Sequence, residues 1–408
     1  VTAALINAMT DLYTYQAAVT AGGTVTVPPG AYTQSQPLLL PLDTAVTLDG
    51  TGVTVTLDAA CPGGFLELAS SEDYQTFRNL ALRGFTIDAS AVTADYTNQA
   101  VIGTTRLGTH SGVSWMNNLH DILIEDLDIT LPASLTDPAD YDIRHTGVHL
   151  GSRQSSTSLS PSNVERITVH RVKVHGGDQA VVIAAARGYG AANCDEQGVP
   201  LTPWAGNLVW MDDISVIDCD HVATVGNPDH LLWGSFHIGS VSHGGSVLVS
   251  NCTSYGAGEG GFEVNGFNDT VIEHCDMTDS GAVGFMFYNF NDQVNPATQT
   301  ILFDDCHAIN TGPLVYTSGG TWPRVGFDHI ATYGTDTGAI TFNNCTAATY
   351  SEGYDFYVRD CASVTYTHSS PEPPLVESSN PLFDGTLSIK IAGVEYVAVV
   401  SVITQLSH

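Results

Sequence analysis

Acidic residues and histidines recur immediately ahead of short apolar runs in this chain. The segments RHTGVHLG (144–151), GGDQAVVIA (176–184), DHVATVGN (220–227) and EGGFEVNG (259–266) put His145, Asp178, Asp220 with His221, and Glu259 at that position. Inverting hydrolysis of a glycosidic bond needs a protonated carboxyl and an ionised carboxylate roughly 6.5–9.5 Å apart. If these segments are stacked coils about 4.8 Å apart, Asp178 and Glu259 stand about 9–10 Å from one another. Asp178 is then the candidate acid, and Glu259 or Asp220 the candidate for activating water. Asp178 and Asp220, one coil apart, would share a proton and drive one pKa up, with His221 orienting or charging the pair. The bland alternative is an Asx-type turn, in which such side chains serve only the local backbone.

Further polar residues are expected around this line. His149 and Glu263 should point outward, because their neighbours Val148, Leu150, Phe262 and Val264 point inward. Two insertions, 186–206 and 227–245, are long for turns and carry Trp204, Tyr189, Trp233, Asp229, His230, His237 and His243. Sugar rings stack their apolar faces on aromatics, so His145, His149, Glu263, Trp204, Trp233 and His237 are the candidate substrate-binding residues. Burial of the tryptophans in subunit contacts is the competing reading. The histidines of the second insertion have no metal-ligand spacing, and neither a metal nor a cofactor is expected. Arg171, Lys173 and His175 alternate outward beside Asp126 and Asp128, with Asp220 on the far side of Lys173. This pattern reads as a surface ion-pair ladder, with Lys173 as a lyase base the alternative.

What must position these residues is a repeat. LALRGFTID, ILIEDLDIT, ITVHRVKVH, ISVIDCDHV, VLVSNCTSY, VIEHCDMT, ILFDDCHAI and ITFNNCTAA share two apolar residues two apart, two polar positions, then an inward residue. That last column reads Phe85, Leu127, Val172, Cys219, Cys252, Cys275, Cys306, Cys345. Period-two alternation means strands, and recurrence at intervals in the twenties, stretched by insertions, means the stacked coils of a solenoid. Five of the eight cysteines fall in one inward column, where they act as small core hydrophobes rather than as disulfides. Asp218, Asn251, Asp305 and Asn344, just before that column, read as stacked turn or face residues. Leu5, Met9 and Leu12 share a helical face suited to covering the open end of a solenoid.

AGGTVTVPPGAYT (21–33) followed by LLLPLDTAVTLDGTG closely resembles the opening module of the pectin-lyase-like superfamily. With the coil repeat, the resemblance spans roughly residues 1–365 and implies an all-β fold, a right-handed parallel β-helix. The expected organisation is an N-terminal capping helix over 1–20, the β-helix over 21–368, and a linker with a C-terminal hairpin over 369–408. One branch, the polygalacturonase-like glycosidases, carries N-T-D, G-D-D and G-H-G on successive coils. Gly177-Asp178-Gln179 resembles the second with its last Asp replaced, and His221 falls at the histidine of the third. The N-T-D aspartate falls on Thr146, beside His145, and no R-I-K is present. This partial likeness implies a glycoside hydrolase acting on a polysaccharide, with a polysaccharide lyase as the alternative.

Composition narrows the partners. Twelve Lys+Arg against 43 Asp+Glu leave a net charge of −31, which repels phosphate backbones and polyuronates and excludes nucleic acid as a natural partner. It also suits solubility at high salt. No apolar run is long enough to cross a membrane as a helix. After the linker-like SSPEPPLVESSNP, two alternating strands flank Ala392-Gly393, a tail that would cap the solenoid or pair with sister chains as a homotrimer, and that resembles the C-terminal hairpins of virion tail proteins. The expected location is therefore extracellular or on a virion tail, as a secreted enzyme, as a viral tail fibre or tailspike that binds a cell-surface glycan with or without cleaving it, or as a non-catalytic adhesin.

Overall fold

The structure is a computed structural model describing residues 10–59, 61, 64–68, 76–92, 99–103, 118–132, 145–154, 162–177, 179–187, 209–223, 234–257, 260–281, 283–289, 299–311, 325–331, 337–349, 354–359, 361–367, 369, 375–377, 386–391 and 394–399. They fall into two compact units, Val1–Val209 with Cys219–Gly226, and Trp210–Asp218 with Asn227–His408. Each unit is built as a right-handed parallel β-helix, the hand that parallel crossovers take.

In the first unit, one ladder runs from Val46–Leu57 through Thr76–Asp88 and Asn118–Thr130 to Ser162–His175, then to Asp220–Val222. Apolar residues stack in register down its interior, as in Val55, Ile87, Ile129 and Val174. All four are fully buried, each contributing about 1.5–3 kcal/mol over exposure. A second ladder runs through Leu66–Glu67, Gln99–Gly103, His145–Gln154 and Gln179–Arg187. At the start of the chain a 3-10 turn, Leu12–Tyr15, leads into the helix Gln16–Ala21. Leu12 and Val19 are buried beneath it. The Gln16 amide exchanges hydrogen bonds with the backbone of Leu39, donating to its carbonyl at 2.9 Å and accepting from its N–H at 2.7 Å. Leu5 and Met9 lie outside the described residues.

The second unit repeats this plan. Phe236–Ser250 and Gly260–Glu273 are long strands that serve both ladders. One ladder continues through Thr300–Asp304, Thr337–Asn343 and Cys361–Thr367. The other continues through Val283–Asn289, Val325–Ala331 and Tyr354–Arg359. Inside it Phe236, Phe262 and Phe285 stack with ring centroids 4.9 Å apart and interplanar angles of 4° and 6°. Beside them Cys252, Cys275, Cys306 and Cys345 are free, fully buried thiols. Their Sγ atoms lie near carbonyls of the preceding coil, as Cys306 does to Ile272 at 3.3 Å. Burial pushes the Cys275 and Cys306 thiols well above their ordinary value, so they stay protonated core groups.

The corner ahead of each inward column residue is left-handed. It is occupied by Gly84, Asp126 and Arg171 in the first unit and by Asp218, Asn251, His274, Asp305 and Asn344 in the second. Gly, Asn and Asp tolerate this conformation. Arg171 and His274 are held there by partners one coil away. Arg171 forks onto Asp126, with Nε to Oδ1 at 2.5 Å and Nη2 to Oδ2 at 2.9 Å. His274 Nδ1 lies 3.0 Å from Asp305 Oδ2. Toward the C-terminus, Leu375–Glu377, inside the segment read as a linker, pairs in parallel with Tyr357–Arg359. Thr386–Ile391 adds in parallel to Cys361–Thr367 and forms an antiparallel pair with Val394–Val399.

Candidate functional site

Register corrects the expected line of turn residues. Thr146 is level with Gln179 on the second ladder, as two coil-equivalent segments should be. Asp220 and His221, however, pair with Lys173 and Val174 on the first ladder. They do not belong to the turn that leads into the second ladder, so Asp220 is not the coil equivalent of the position ahead of Gln179. The apolar run Val222-Ala223-Thr224-Val225 suggested a second-ladder strand; its first residue instead closes the first-ladder strand Asp220–Val222. Asp220 is half-buried on the outward row, level with Lys173 as the spacing implied.

His221 points the other way. In register with Val174 it is an inward core residue, 1 % exposed, with Nε2 3.1 Å from the Gly176 carbonyl. Burial disfavours the imidazolium and brings its pKa down to about 4, against a smaller opposing effect of the Gly176 carbonyl. The expectation that His221 charges a carboxylate pair is overturned, because a neutral imidazole in the interior supplies no charge to the outer surface.

A polar cluster does assemble on the second ladder of the second unit. Strand alternation sends Phe236, Ile238, Phe262 and Val264 inward and His237, Gly239, Glu263 and Asn265 outward. His237 is level with Glu263, and Gly239 with Asn265. Despite facing outward, all four are buried, and Glu263 is only 4 % exposed. The His237 Nδ1 atom lies 2.8 Å from Glu263 Oε2, and the Asn265 amide donates to Glu263 Oε1 at 3.0 Å. Burial alone would raise the Glu263 carboxyl, but the His237 imidazole, then the Asn265 amide and the Gly234 backbone N–H, hold it below its ordinary value. Among the described residues no lysine or arginine pairs with it.

Glu263 is thus an anion at neutral pH and cannot serve as a proton donor. Its Oε2 lies within ion-pair distance of His237 Nδ1, so the carboxylate and the imidazole are direct neighbours on the same outward row. Asn265 and Gly239 were not singled out from sequence. The signal that could have found them is period two, since each lies two residues beyond a polar residue on the same face.

The remaining candidates divide. His149 is half-buried on the outward row of the first unit, level with Gly103 and Val182. Glu67, also level with Gly103, is a buried carboxylate that the sequence reading missed. Asp178, Glu259, Trp204 and Trp233 lie outside the described residues, as does the side chain of His145. The outer face of the first ladder carries ion pairs, Arg83–Asp49 at 3.3 Å and Arg166–Asp121 at 2.6 Å, besides the Arg171–Asp126 fork. These exposed pairs contribute up to about 1 kcal/mol each.

No family model and no curated protein matches the chain. Among solved structures it is similar to the A-module of mannuronan C-5 epimerase AlgE6 of Azotobacter vinelandii. The identity is 14%, with 90% of this chain and 97% of that chain covered and a TM-score of 0.36. The AlgE4 A-module of the same organism is similar at 13% identity, covering 97% and 96%, with a TM-score of 0.38. At these values the likeness bears on neither the family nor the activity of this chain.

Proposed function

We propose that this protein binds an extracellular polysaccharide on the outer face of its second ladder and cleaves it by acid–base chemistry centred on His237 and Glu263. The observation that carries the reading is a buried, ionised carboxylate held against an imidazole on the outward side of a strand, where side chains of a solenoid ordinarily meet water. Hydrolysis of a neutral or weakly acidic glycan suits the net charge of −31, because such a surface repels polyuronates. In this reading His237 activates water, and the proton donor is the carboxylate flagged by sequence in the same unit, Glu259.

The test is release of reducing ends from a panel of neutral and acidic polysaccharides at low and high salt, with Glu263→Gln and Glu259→Gln run beside the parent chain. Replacing a carboxylate that orients a catalytic imidazole lowers kcat by about 10⁴, so Glu263→Gln should lose release while its circular dichroism is unchanged. Undiminished release from Glu263→Gln removes the assignment. One observation favours a second reading, eliminative cleavage: the described cluster offers one ionised carboxylate and one imidazole, not two carboxyls. Elimination would leave an unsaturated, ultraviolet-absorbing sugar at the new end, and hydrolysis would not. Absence of release from every substrate would leave a receptor-binding protein of the tail-fibre kind.

A further inference from the structure

Beyond the left-handed corners of the second unit the chain runs on in short strands, Thr253–Tyr255, Asp276–Thr278, His307–Thr311 and Thr346–Thr349. These pair in parallel as a ladder of their own. Ser254, Met277, Ala308 and Ala347 are its buried inner residues, so the residues on either side of them face out. One outward row is polar, with Thr253, Asp276 and His307 level. The next row holds Tyr255, Thr278 and Ile309, of which Tyr255 is 47 % and Ile309 46 % exposed. Immediately past that row a second set of left-handed residues, Gly256, Asp279 and Asn310, turns the chain away. There the Asn310 amide donates to Asp279 Oδ1 at 3.0 Å. An exposed apolar row one residue wide therefore runs along the coils between two polar edges.

We propose that this strip binds a neutral glycan chain lying along the coils, with one sugar ring stacked on Tyr255 and another on Ile309. By strand spacing these two side chains stand about 9–10 Å apart on one straight row. A sugar ring has an apolar face and a rim of hydroxyls, and the strip is its complement. The face meets the aromatic or aliphatic side chain, while the rim lies between Asp276 and His307 on one side and Asp279 and Asn310 on the other. The glycan is neutral because none of these residues is a lysine or arginine, so a uronate or sulfate would meet two carboxylates with no cation among them. A second copy of this chain does not suit the strip. Half-exposed, Tyr255 and Ile309 offer on the order of 200 Å² together, far below the about 800 Å² per partner of a stable protein interface. Binding here goes beyond the proposed cleavage, which is centred on the second ladder, and does not depend on it.

The test is calorimetry on the full chain with mannose, xylose and glucose oligosaccharides and one uronate oligosaccharide. The parent is run beside Tyr255→Ala, Tyr255→Phe, Ile309→Ser and Glu263→Gln, each with unchanged circular dichroism. Removing about 100 Å² of stacked apolar surface corresponds to at least tenfold in Kd. Tyr255→Ala should weaken a neutral ligand by that factor and Ile309→Ser should weaken it too, while Tyr255→Phe, which keeps the ring, stays within about threefold of the parent. Neutral ligand bound by Tyr255→Ala as by the parent overturns the strip, and if Glu263→Gln is then impaired the cleavage reading still stands. Loss in Tyr255→Ala with Glu263→Gln unimpaired supports the strip and separates it from that reading. Equal loss in Tyr255→Phe and Tyr255→Ala overturns the stacking, and tighter binding of the uronate overturns the neutral assignment. No binding of any neutral oligosaccharide by the parent overturns the proposal. So does sedimentation showing a parent dimer that Tyr255→Ala splits into monomers, which would give the row to a second copy.

Discussion

Acidification should expose the buried His221. Its ordinary pKa of 6.5 falls to about 4 in the folded chain, a gap worth about 3 kcal/mol. Below pH 6.5 the unfolded chain takes up a proton that the folded chain refuses. Stability from this residue is therefore complete above pH 6.5, declines as the pH falls, and is fully lost below about 4. Between roughly pH 7 and pH 4.5 the loss amounts to about 2 kcal/mol. His221→Gln isolates it, because glutamine keeps an amide donor for the Gly176 carbonyl but does not titrate. Groups that do not bear on His221 titrate alike in both proteins and cancel in the difference; His175, whose charge also helps to lower the His221 pKa, contributes less than burial. Urea midpoints at the two pH values, converted with the measured m, should show the parent losing about 2 kcal/mol more than the variant. Losses that agree within about 0.5 kcal/mol would refute the argument. So would an imidazole signal from His221 that titrates near its ordinary value.

Two further outcomes follow from the coil geometry. Gly84 has φ +80°, and a Cβ there would lie 2.9 Å from the backbone N and Cα of Thr51, which cannot yield, so Gly84→Ala should destabilise by about 1–3 kcal/mol in thermal unfolding. Asn251→Gly, at an equivalent left-handed corner with φ 53°, should change stability by no more than a few tenths of a kcal/mol and serves as the control. Of the eight cysteines, six are buried free thiols, so an aromatic disulfide reagent should titrate at most two in the native chain and all eight in urea; a third native thiol would contradict the stacked core.

Much of the fold was legible in residue order because a solenoid writes its period into the chain. Apolar residues two apart, recurring with each coil, placed the inward column. The polar residue ahead of it, Asp218, Asn251, Asp305 or Asn344, marked the left-handed corner that turns one strand into the next. Asp126 beside Arg171 and Asp220 beside Lys173 also followed from aligning repeats, since in-register parallel strands bring equivalent positions together.

Alternation says which residues share a face, but not which ladder a short apolar run joins or what covers that face. His221 shows the first gap: Asp-His-Val reads equally well as a turn or as a strand, and only pairing with Lys173–His175 turned the imidazole into the core. Glu263 and His237 show the second. Sequence placed Glu263 on the outer face and put His237 in an insertion, whereas the structure sets the two level on neighbouring strands, both buried. The pairing of Phe236 with Phe262 brings them together, and burial with three donors around one carboxylate fixes its charge. Sequence by itself determined the coil, its inward column and its corners, because these are local and repeat. Only tertiary structure decided the register that pairs His237 with Glu263, because it depends on contacts between coils some 26 residues apart.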